Sequence, residues 1–158
     1  MSTASESGPA DRATTPDLAY GQTWPNLDVF GVLARDRRVI PVVRRLMGDA
    51  ETPVGVYRKL AGERPGTFLL ESAEQGGIWS RWSFVGISSF GVLTEVDGAT
   101  VWTDTGIDAA RALGDAASAP PLEALGALYR RWSTPRIDGH PPLTGGLVGY
   151  IGWDAIRQ

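Results

Sequence analysis

The residues best suited to chemistry in this sequence lie in two neighbouring segments. Residues 68–74, Phe-Leu-Leu-Glu-Ser-Ala-Glu, are typical of a buried strand that ends in a carboxylate, Glu71, and a hydroxyl, Ser72. Residues 79–86, Trp-Ser-Arg-Trp-Ser-Phe-Val-Gly, bring a guanidinium, Arg81, to the start of a second strand. A carboxylate and a guanidinium beside apolar walls can hold an amino acid, with Glu71 at its ammonium group and Arg81 at its carboxylate. The alternative is an internal Glu71–Arg81 ion pair that pins the two strands together, and the residues alone leave both interpretations open.

The composition excludes much of the remaining catalytic chemistry. The 158 residues include no cysteine, which rules out a disulfide scaffold, a cysteine nucleophile and a thiolate-bound metal. A single histidine, His140, argues against a histidine-based zinc site. The formal net charge of −3 is too near neutral to suggest a nucleic-acid or membrane-surface partner. No stretch approaches the roughly 20 apolar residues of a transmembrane helix.

Two glycine-rich or arginine-rich segments could bind anions, but a structural role is favoured for each. Residues 143–152 hold four glycines without a Gly-Lys-Ser/Thr ending or a glycine turn that opens a helix, so we expect close strand packing and not a phosphate site. The arginines of residues 35–45 are interrupted by Asp36, which indicates a solvated face beside an edge strand. His140, in the sequence Asp-Gly-His-Pro-Pro, is expected to be an exposed loop residue.

The elements that must position these residues mix helices and strands without a regular βαβ rhythm. Helices are predicted to begin at capping or proline positions, namely Asn26, Thr52, Asp108 and Pro121. The predicted strands are residues 39–43, 67–72, 82–85, 90–96, 99–103 and 143–152. Asp97-Gly98 is a strong signal for a hairpin turn. The sequence therefore predicts an α+β fold, a mostly antiparallel sheet with packed helices.

The first part of the chain differs in composition from the rest. Residues 1–22 contain almost no large apolar side chains and are rich in Ser, Thr, Ala and Pro. Such a segment buries too little surface to offset its ordering entropy, so we expect a disordered N-terminal tail followed by one folded region, residues 23–158. The tail also lacks the basic and apolar regions of a secretory signal, which makes the cytoplasm the expected location.

Taken together, these motifs resemble one enzyme family. Residues 68–74 and 80–86, followed by Pro-Leu-Thr-Gly-Gly-Leu-Val-Gly-Tyr-Ile-Gly-Trp-Asp at 142–154, are similar in order and spacing to the N-terminal region of anthranilate synthase component I. The resemblance runs from about residue 26 to the end of the chain. It implies that residues 23–158 are the N-terminal domain of that protein, truncated before the chorismate-binding domain, with no catalytic residue in this fragment.

The resemblance also implies what the parent protein does. The family makes anthranilate and pyruvate from chorismate and ammonia in tryptophan biosynthesis, and the ammonia comes from a glutamine amidotransferase subunit, component II. Tryptophan inhibits by feedback at a site that includes the Leu-Leu-Glu-Ser strand, so the resemblance assigns Leu70, Glu71, Ser72 and Arg81 to tryptophan binding. The family uses Mg²⁺, whose ligands would lie in the missing C-terminal part. No metal, nucleic acid or membrane partner is implied for this piece.

Two alternatives stay open on the sequence. Component I of aminodeoxychorismate synthase, in the folate pathway, shares the fold and much of the pattern, although an intact Leu-Leu-Glu-Ser favours the tryptophan-pathway enzyme. A free-standing, non-enzymatic amino-acid-binding domain that ends at residue 158 would also explain the motifs. A coding frame that continues with related sequence would favour the enzyme, and a stop codon would favour the free-standing domain.

Overall fold

The computed structural model describes residues 14–71, 82–153 and 155. Its elements, in chain order, are β1 (Thr23–Trp24), α1 (Leu27–Leu33), β2 (Val43–Arg44), α2 (Pro53–Leu60), β3 (Phe68–Glu71), β4 (Ser83–Gly86), β5 (Gly91–Val96), β6 (Ala99–Asp104), α3 (Ala109–Leu113), a 3₁₀ helix (Gly114–Ser118) and α4 (Pro121–Trp132). Within those residues the strands pair as three antiparallel two-stranded sheets, β1–β2, β3–β4 and β5–β6. The predicted α+β class with antiparallel strands is confirmed.

Helix starts follow local capping chemistry. The side chains of Asn26, Thr52 and Asp108 each accept a hydrogen bond from the backbone N–H three residues further on, at 2.9, 3.0 and 2.8 Å. Each bond satisfies one of the N–H groups that a helix leaves unpaired in its first turn. Pro121 opens α4, where its missing N–H costs nothing. These predicted helix starts are confirmed, and α1 ends at Leu33.

The larger apolar cluster lies between the C-terminal helices and the β5–β6 hairpin. Its buried residues are Ala112, Leu113, Ala124 and Leu128, and its half-buried partners include Leu93, Trp102 and Trp132. Ala124 and Leu128 share one face of α4 because residues four apart are neighbours on a helix. The indole N–H groups of Trp102 and Trp132 donate to backbone carbonyls at 2.7 and 2.9 Å, so both half-buried rings pack without an unpaired N–H donor. We call this cluster the α3–α4 core.

A second cluster involves part of the segment predicted to be a tail. Trp24, Leu33 and Ile137 are buried together, and Leu18 packs against them. The Thr15 N–H also donates to the backbone carbonyl of residue 138 at 2.8 Å. The predicted division of the chain at residue 22 stays a prediction, but residues 14–22 contact the folded region in this structure.

One predicted turn is confirmed, one predicted strand is confirmed only at its last residue, and one predicted strand is wrong. Asp97 and Gly98 both have positive φ, 51° and 78°, as the tight turn of a β-hairpin requires. Of residues 39–43, only Val43 lies in a strand. Residues 143–152 form no strand, because two consecutive glycines there adopt φ values of 145° and 142°, a conformation that does not continue a regular ladder.

Candidate functional site

The β3–β4 hairpin carries the described part of the predicted amino-acid site, and α2 positions it. The Tyr57 hydroxyl lies 3.0 Å from the Thr67 hydroxyl, which ties the side of α2 to the residue before β3. Gly62 and Gly66 have φ values of 58° and 70°, so the connection from α2 to β3 uses two left-handed positions that favour glycine. The turn therefore fixes where β3 begins relative to the helix.

The register of the hairpin determines which side chains are neighbours. Phe68 pairs with Gly86, Leu70 with Phe84, and Glu71 with Ser83. A Cβ at Gly86 would overlap the Phe68 ring, so glycine at this position allows the aromatic ring to lie across the partner strand. The Phe68 ring therefore covers Gly86 at the end of the hairpin that follows the connection from α2. The predicted ligand-binding residues Leu70 and Glu71 lie at the other end of β3.

An apolar surface lies on one face of this hairpin. Leu70 and Phe84 are a cross-strand pair, and the Trp82 ring stacks on Phe84 with ring centroids 6.4 Å apart and planes inclined by 17°. Leu70 and Trp82 remain 44% and 48% exposed, so a ligand could still bury much of their area. We call Leu70, Trp82 and Phe84 the apolar wall. A wall with two stacked aromatic rings suits a planar aromatic ligand.

The carboxylate of this site belongs to the opposite face. Successive strand residues project to opposite sides, so Glu71 lies on the face of Ser83 and not on that of Leu70. Glu71 is exposed and is the last residue of β3. A ligand that touches both the carboxylate and the apolar wall must therefore lie across the end of the hairpin where β3 ends and β4 begins.

The predicted site residues are only partly placed. Leu70 and Glu71 are consecutive at the end of β3. Ser72 and Arg81 lie outside the described residues, so neither the ligand-binding role of Arg81 nor its alternative ion pair with Glu71 is tested. The sequence interpretation did not include Trp82 and Phe84 in the site. The sequence signal that could have identified them is the alternation Trp-Ser-Phe at residues 82–84, because residues two apart in a strand lie on the same face.

Two expectations for other polar residues are wrong. Arg37, expected on a solvated face, is 7% exposed, and its Nη1 donates to the Pro135 carbonyl at 2.8 Å. His140, expected in an exposed loop, is half-buried and packs edge-on against Trp24 with ring centroids 5.2 Å apart. Burial lowers the pKa of His140 below its ordinary value of 6.5. Both residues contact parts of the chain far away in sequence, which a local pattern does not reveal.

Mg²⁺ is the metal that the family resemblance implies, with its ligands expected outside this chain. Among residues 14–71, 82–153 and 155, no three carboxylate or imidazole side chains come together as metal ligands. Hard cations such as Mg²⁺ are held by convergent oxygen ligands. Mg²⁺ often keeps several waters and takes only one or two carboxylates, so the placement of its ligands stays a prediction. In the same residues, no helix is long and apolar enough to cross a bilayer.

Comparisons with known proteins agree with the resemblance in the sequence. No protein-family model matches the chain. The chain is 47% identical over 129 residues to anthranilate synthase component 1 of Mycolicibacterium smegmatis and 45% identical over 134 residues to that of Arthrobacter globiformis. It is 30% identical over 135 residues to that of Acetivibrio thermocellus. These alignments cover 82%, 85% and 85% of this chain but only 24%, 24% and 26% of the relatives, so the chain spans about a quarter of their length.

Proposed function

From its similarity to anthranilate synthase component 1 over more than four-fifths of its length, we propose that this chain is part of that enzyme's chorismate-using subunit. The observation that carries the proposal is 47% identity over 129 residues. All the relatives named above are called anthranilate synthase, which supports this assignment over aminodeoxychorismate synthase component I. The name component 1 also implies a second component, which we infer to be the glutamine amidotransferase subunit.

The proposed activity of the whole protein is a Mg²⁺-dependent lyase reaction. Chorismate and ammonia are converted to anthranilate and pyruvate for tryptophan biosynthesis in the cytoplasm. The chain spans only about a quarter of the relatives' length. We therefore infer that the catalytic residues belong to the three-quarters of the relatives' length that this chain does not span, and that the 158-residue chain alone is inactive.

We infer that this chain contributes to feedback inhibition by tryptophan. The proposed contacts are Leu70, Glu71, Ser72 and Arg81. The support in the described residues is chemical complementarity across the end of the β3–β4 hairpin. The apolar wall can cover an indole ring, and the exposed Glu71 carboxylate can accept hydrogen bonds from an ammonium group. A guanidinium at position 81 would complete the site, because arginine binds a carboxylate through two parallel hydrogen bonds.

The activity is tested by comparing the 158-residue chain with the full-length protein of which we propose it is part. Both are supplied with chorismate, Mg²⁺ and a high concentration of ammonia, and anthranilate is followed by its fluorescence. We expect anthranilate from the full-length protein and none from the 158-residue chain. Formation of aminodeoxychorismate by the full-length protein would transfer it to the folate pathway, and robust anthranilate formation by the chain alone would overturn the placement of the catalytic residues.

The inhibitor site is tested in the full-length protein by Ser72→Phe. The bulky ring at the end of the strand should relieve tryptophan inhibition while turnover stays largely intact. Ser118→Phe is the matched control, because Ser118 is an exposed residue at the end of the 3₁₀ helix. Unchanged tryptophan sensitivity in Ser72→Phe, or an equal loss in the control, would refute the assignment of Ser72.

A further inference from the structure

A cleft of about 640 Å³ lies between the segment that follows α1 and the C-terminal helices. Its charged lining residues are Asp36, Arg37, Arg38, Asp115, Arg130 and Arg131. Four guanidinium groups against two carboxylates give the lining a net positive charge, in a chain whose formal net charge is −3. The cleft is formed by elements other than the β3–β4 hairpin, so it is separate from the proposed tryptophan site.

Arg38 and Arg131 are held by groups that carry no charge, whereas Arg37 Nε lies 4.0 Å from the Asp36 carboxylate. Arg38 Nη1 donates to the backbone carbonyl of residue 131 at 3.4 Å, and its guanidinium lies 6.0 Å from the centroid of the Trp132 ring. Arg131 Nε donates to the backbone carbonyl of residue 111 at 3.0 Å. Carbonyl and ring partners fix the position of a guanidinium without neutralising it. Within the described part of the chain, Arg38, Arg130 and Arg131 form no ion pair.

A buried hydroxyl also lines this cleft. Thr134 Oγ1 is buried and has no hydrogen-bond partner among the described residues. Buried polar atoms in proteins are normally hydrogen-bonded, so this hydroxyl has an unused hydrogen-bonding capacity next to the cleft. Ser133, which precedes it, lines the same cleft with a second hydroxyl.

We propose that this cleft binds a small oxyanion with at least two negative charges, of the phosphate or the polycarboxylate type. Guanidinium groups match both kinds of oxyanion because their planar N–H forks bind two oxygens at once. The volume of the cleft is within the range of small-molecule sites. The exposed Ser133, which also lines the cleft, can add a neutral hydrogen bond beside the charged ones. This site goes beyond the proposed function, which assigns no ligand to the cleft.

The proposal is tested by isothermal titration calorimetry of the chain with inorganic pyrophosphate and, separately, with citrate at low ionic strength. We expect saturable binding of one ion per chain. Arg130→Gln should weaken it about tenfold, the effect of losing one charge-assisted hydrogen-bonding group. The side chain of Arg130 is exposed, so this change removes little packing. Tighter binding of pyrophosphate would identify a phosphate ligand, and tighter binding of citrate a polycarboxylate.

Two further variants separate the cleft from general charge effects. Arg58→Gln removes the same charge from an exposed position on α2, outside the cleft, and should leave the affinity unchanged. Asp115→Asn removes a repulsive carboxylate from the cleft and should strengthen binding. Circular dichroism establishes that each variant is folded. No saturable binding of either ion, an equal loss in Arg58→Gln, weaker binding in Asp115→Asn, or binding of an acidic peptide alone would overturn the proposal.

Discussion

The β3–β4 and β5–β6 hairpins have the same antiparallel construction but use their apolar side chains differently. In β5–β6, Leu93 and Trp102 pack against the α3–α4 core, and the Trp102 indole N–H donates to a backbone carbonyl at 2.7 Å. In β3–β4, Leu70 and Trp82 remain 44% and 48% exposed. The β5–β6 hairpin therefore contributes to stability, and the β3–β4 hairpin presents an apolar surface that a ligand can cover.

The helices beside the two hairpins differ in the same way. In α4, Ala124 and Leu128 are 0% and 4% exposed. In α2, which packs against β3 and β4, no residue is fully buried. Apolar area removed from water is the main source of folding free energy. We therefore expect substitutions in the β5–β6 hairpin to destabilise the chain, and substitutions in the β3–β4 hairpin to affect ligand binding.

The largest effect is expected from Leu128→Ala in the α3–α4 core. Removing a buried leucine side chain from a packed core should lower the free energy of unfolding by about 2–4 kcal/mol. Leu70→Ala, the matched change in the apolar wall, should cost less than about 1 kcal/mol because the side chain is half-exposed already. Urea unfolding followed by circular dichroism measures both. Equal losses from the two variants would break the comparison between the hairpins.

A smaller effect is expected from Gly86→Ala in β4. The added methyl group would overlap the Phe68 ring, and such overpacking costs roughly 1–3 kcal/mol. Gly149→Ala is the control, because a Cβ there meets no atom within 4 Å. Thermal unfolding of the two variants measures how tightly the Phe68–Gly86 end of the β3–β4 hairpin is packed. A Gly86→Ala variant as stable as the control would contradict the packing described here.

The smallest effect is a dependence of stability on pH that belongs to neither hairpin. Burial lowers the pKa of His140 in the folded chain, whereas the unfolded chain keeps the ordinary value of 6.5. The unfolded chain therefore binds the proton first as the pH falls, so this contribution to stability is complete above pH 6.5 and declines below it.

His140→Phe keeps an aromatic ring beside Trp24 and removes the titration. The stability lost between pH 7 and pH 5 should be smaller in this variant than in the unchanged chain. Chemical unfolding at several pH values measures the difference. An identical pH dependence of the two proteins would show that His140 makes no such contribution.

Local chemistry explains which parts of the fold could be predicted from the sequence. The helix caps at Asn26 and Thr52 and the turn at Asp97-Gly98 each depend on residues within four positions. The strand expected at residues 143–152 fails at its two consecutive glycines, and of residues 39–43 only Val43 is paired, with Trp24, a partner that local alternation does not reveal. Burial of Arg37 likewise depends on Pro135, 98 residues away in sequence.

For the candidate site too, the local element could be predicted from the sequence and the contacts between strands could not. A strand that carries Leu70 and Glu71 follows from its apolar residues and is confirmed, but the expectation that this strand is buried is wrong, because both residues are exposed. The apolar wall could not be assembled from sequence, because the pairing of Leu70 with Phe84 depends on the register of the hairpin. Glu71 and Leu70 are consecutive strand residues and lie on opposite faces, so a ligand that contacts both must lie across the end of the hairpin where β3 ends and β4 begins.

Tryptophan inhibition of anthranilate formation by the full-length protein tests the central claim most directly, in Glu71→Gln compared with Glu95→Gln. Glu95 is the matched control because it is an exposed glutamate in a strand of the other hairpin. The loss of a charged partner for the ammonium group predicts that Glu71→Gln needs about tenfold more tryptophan for half-inhibition, with kcat unchanged. Glu95→Gln should be inhibited like the unchanged protein. Equal tryptophan sensitivity in both variants, or no anthranilate formation by the unchanged protein, would contradict the account.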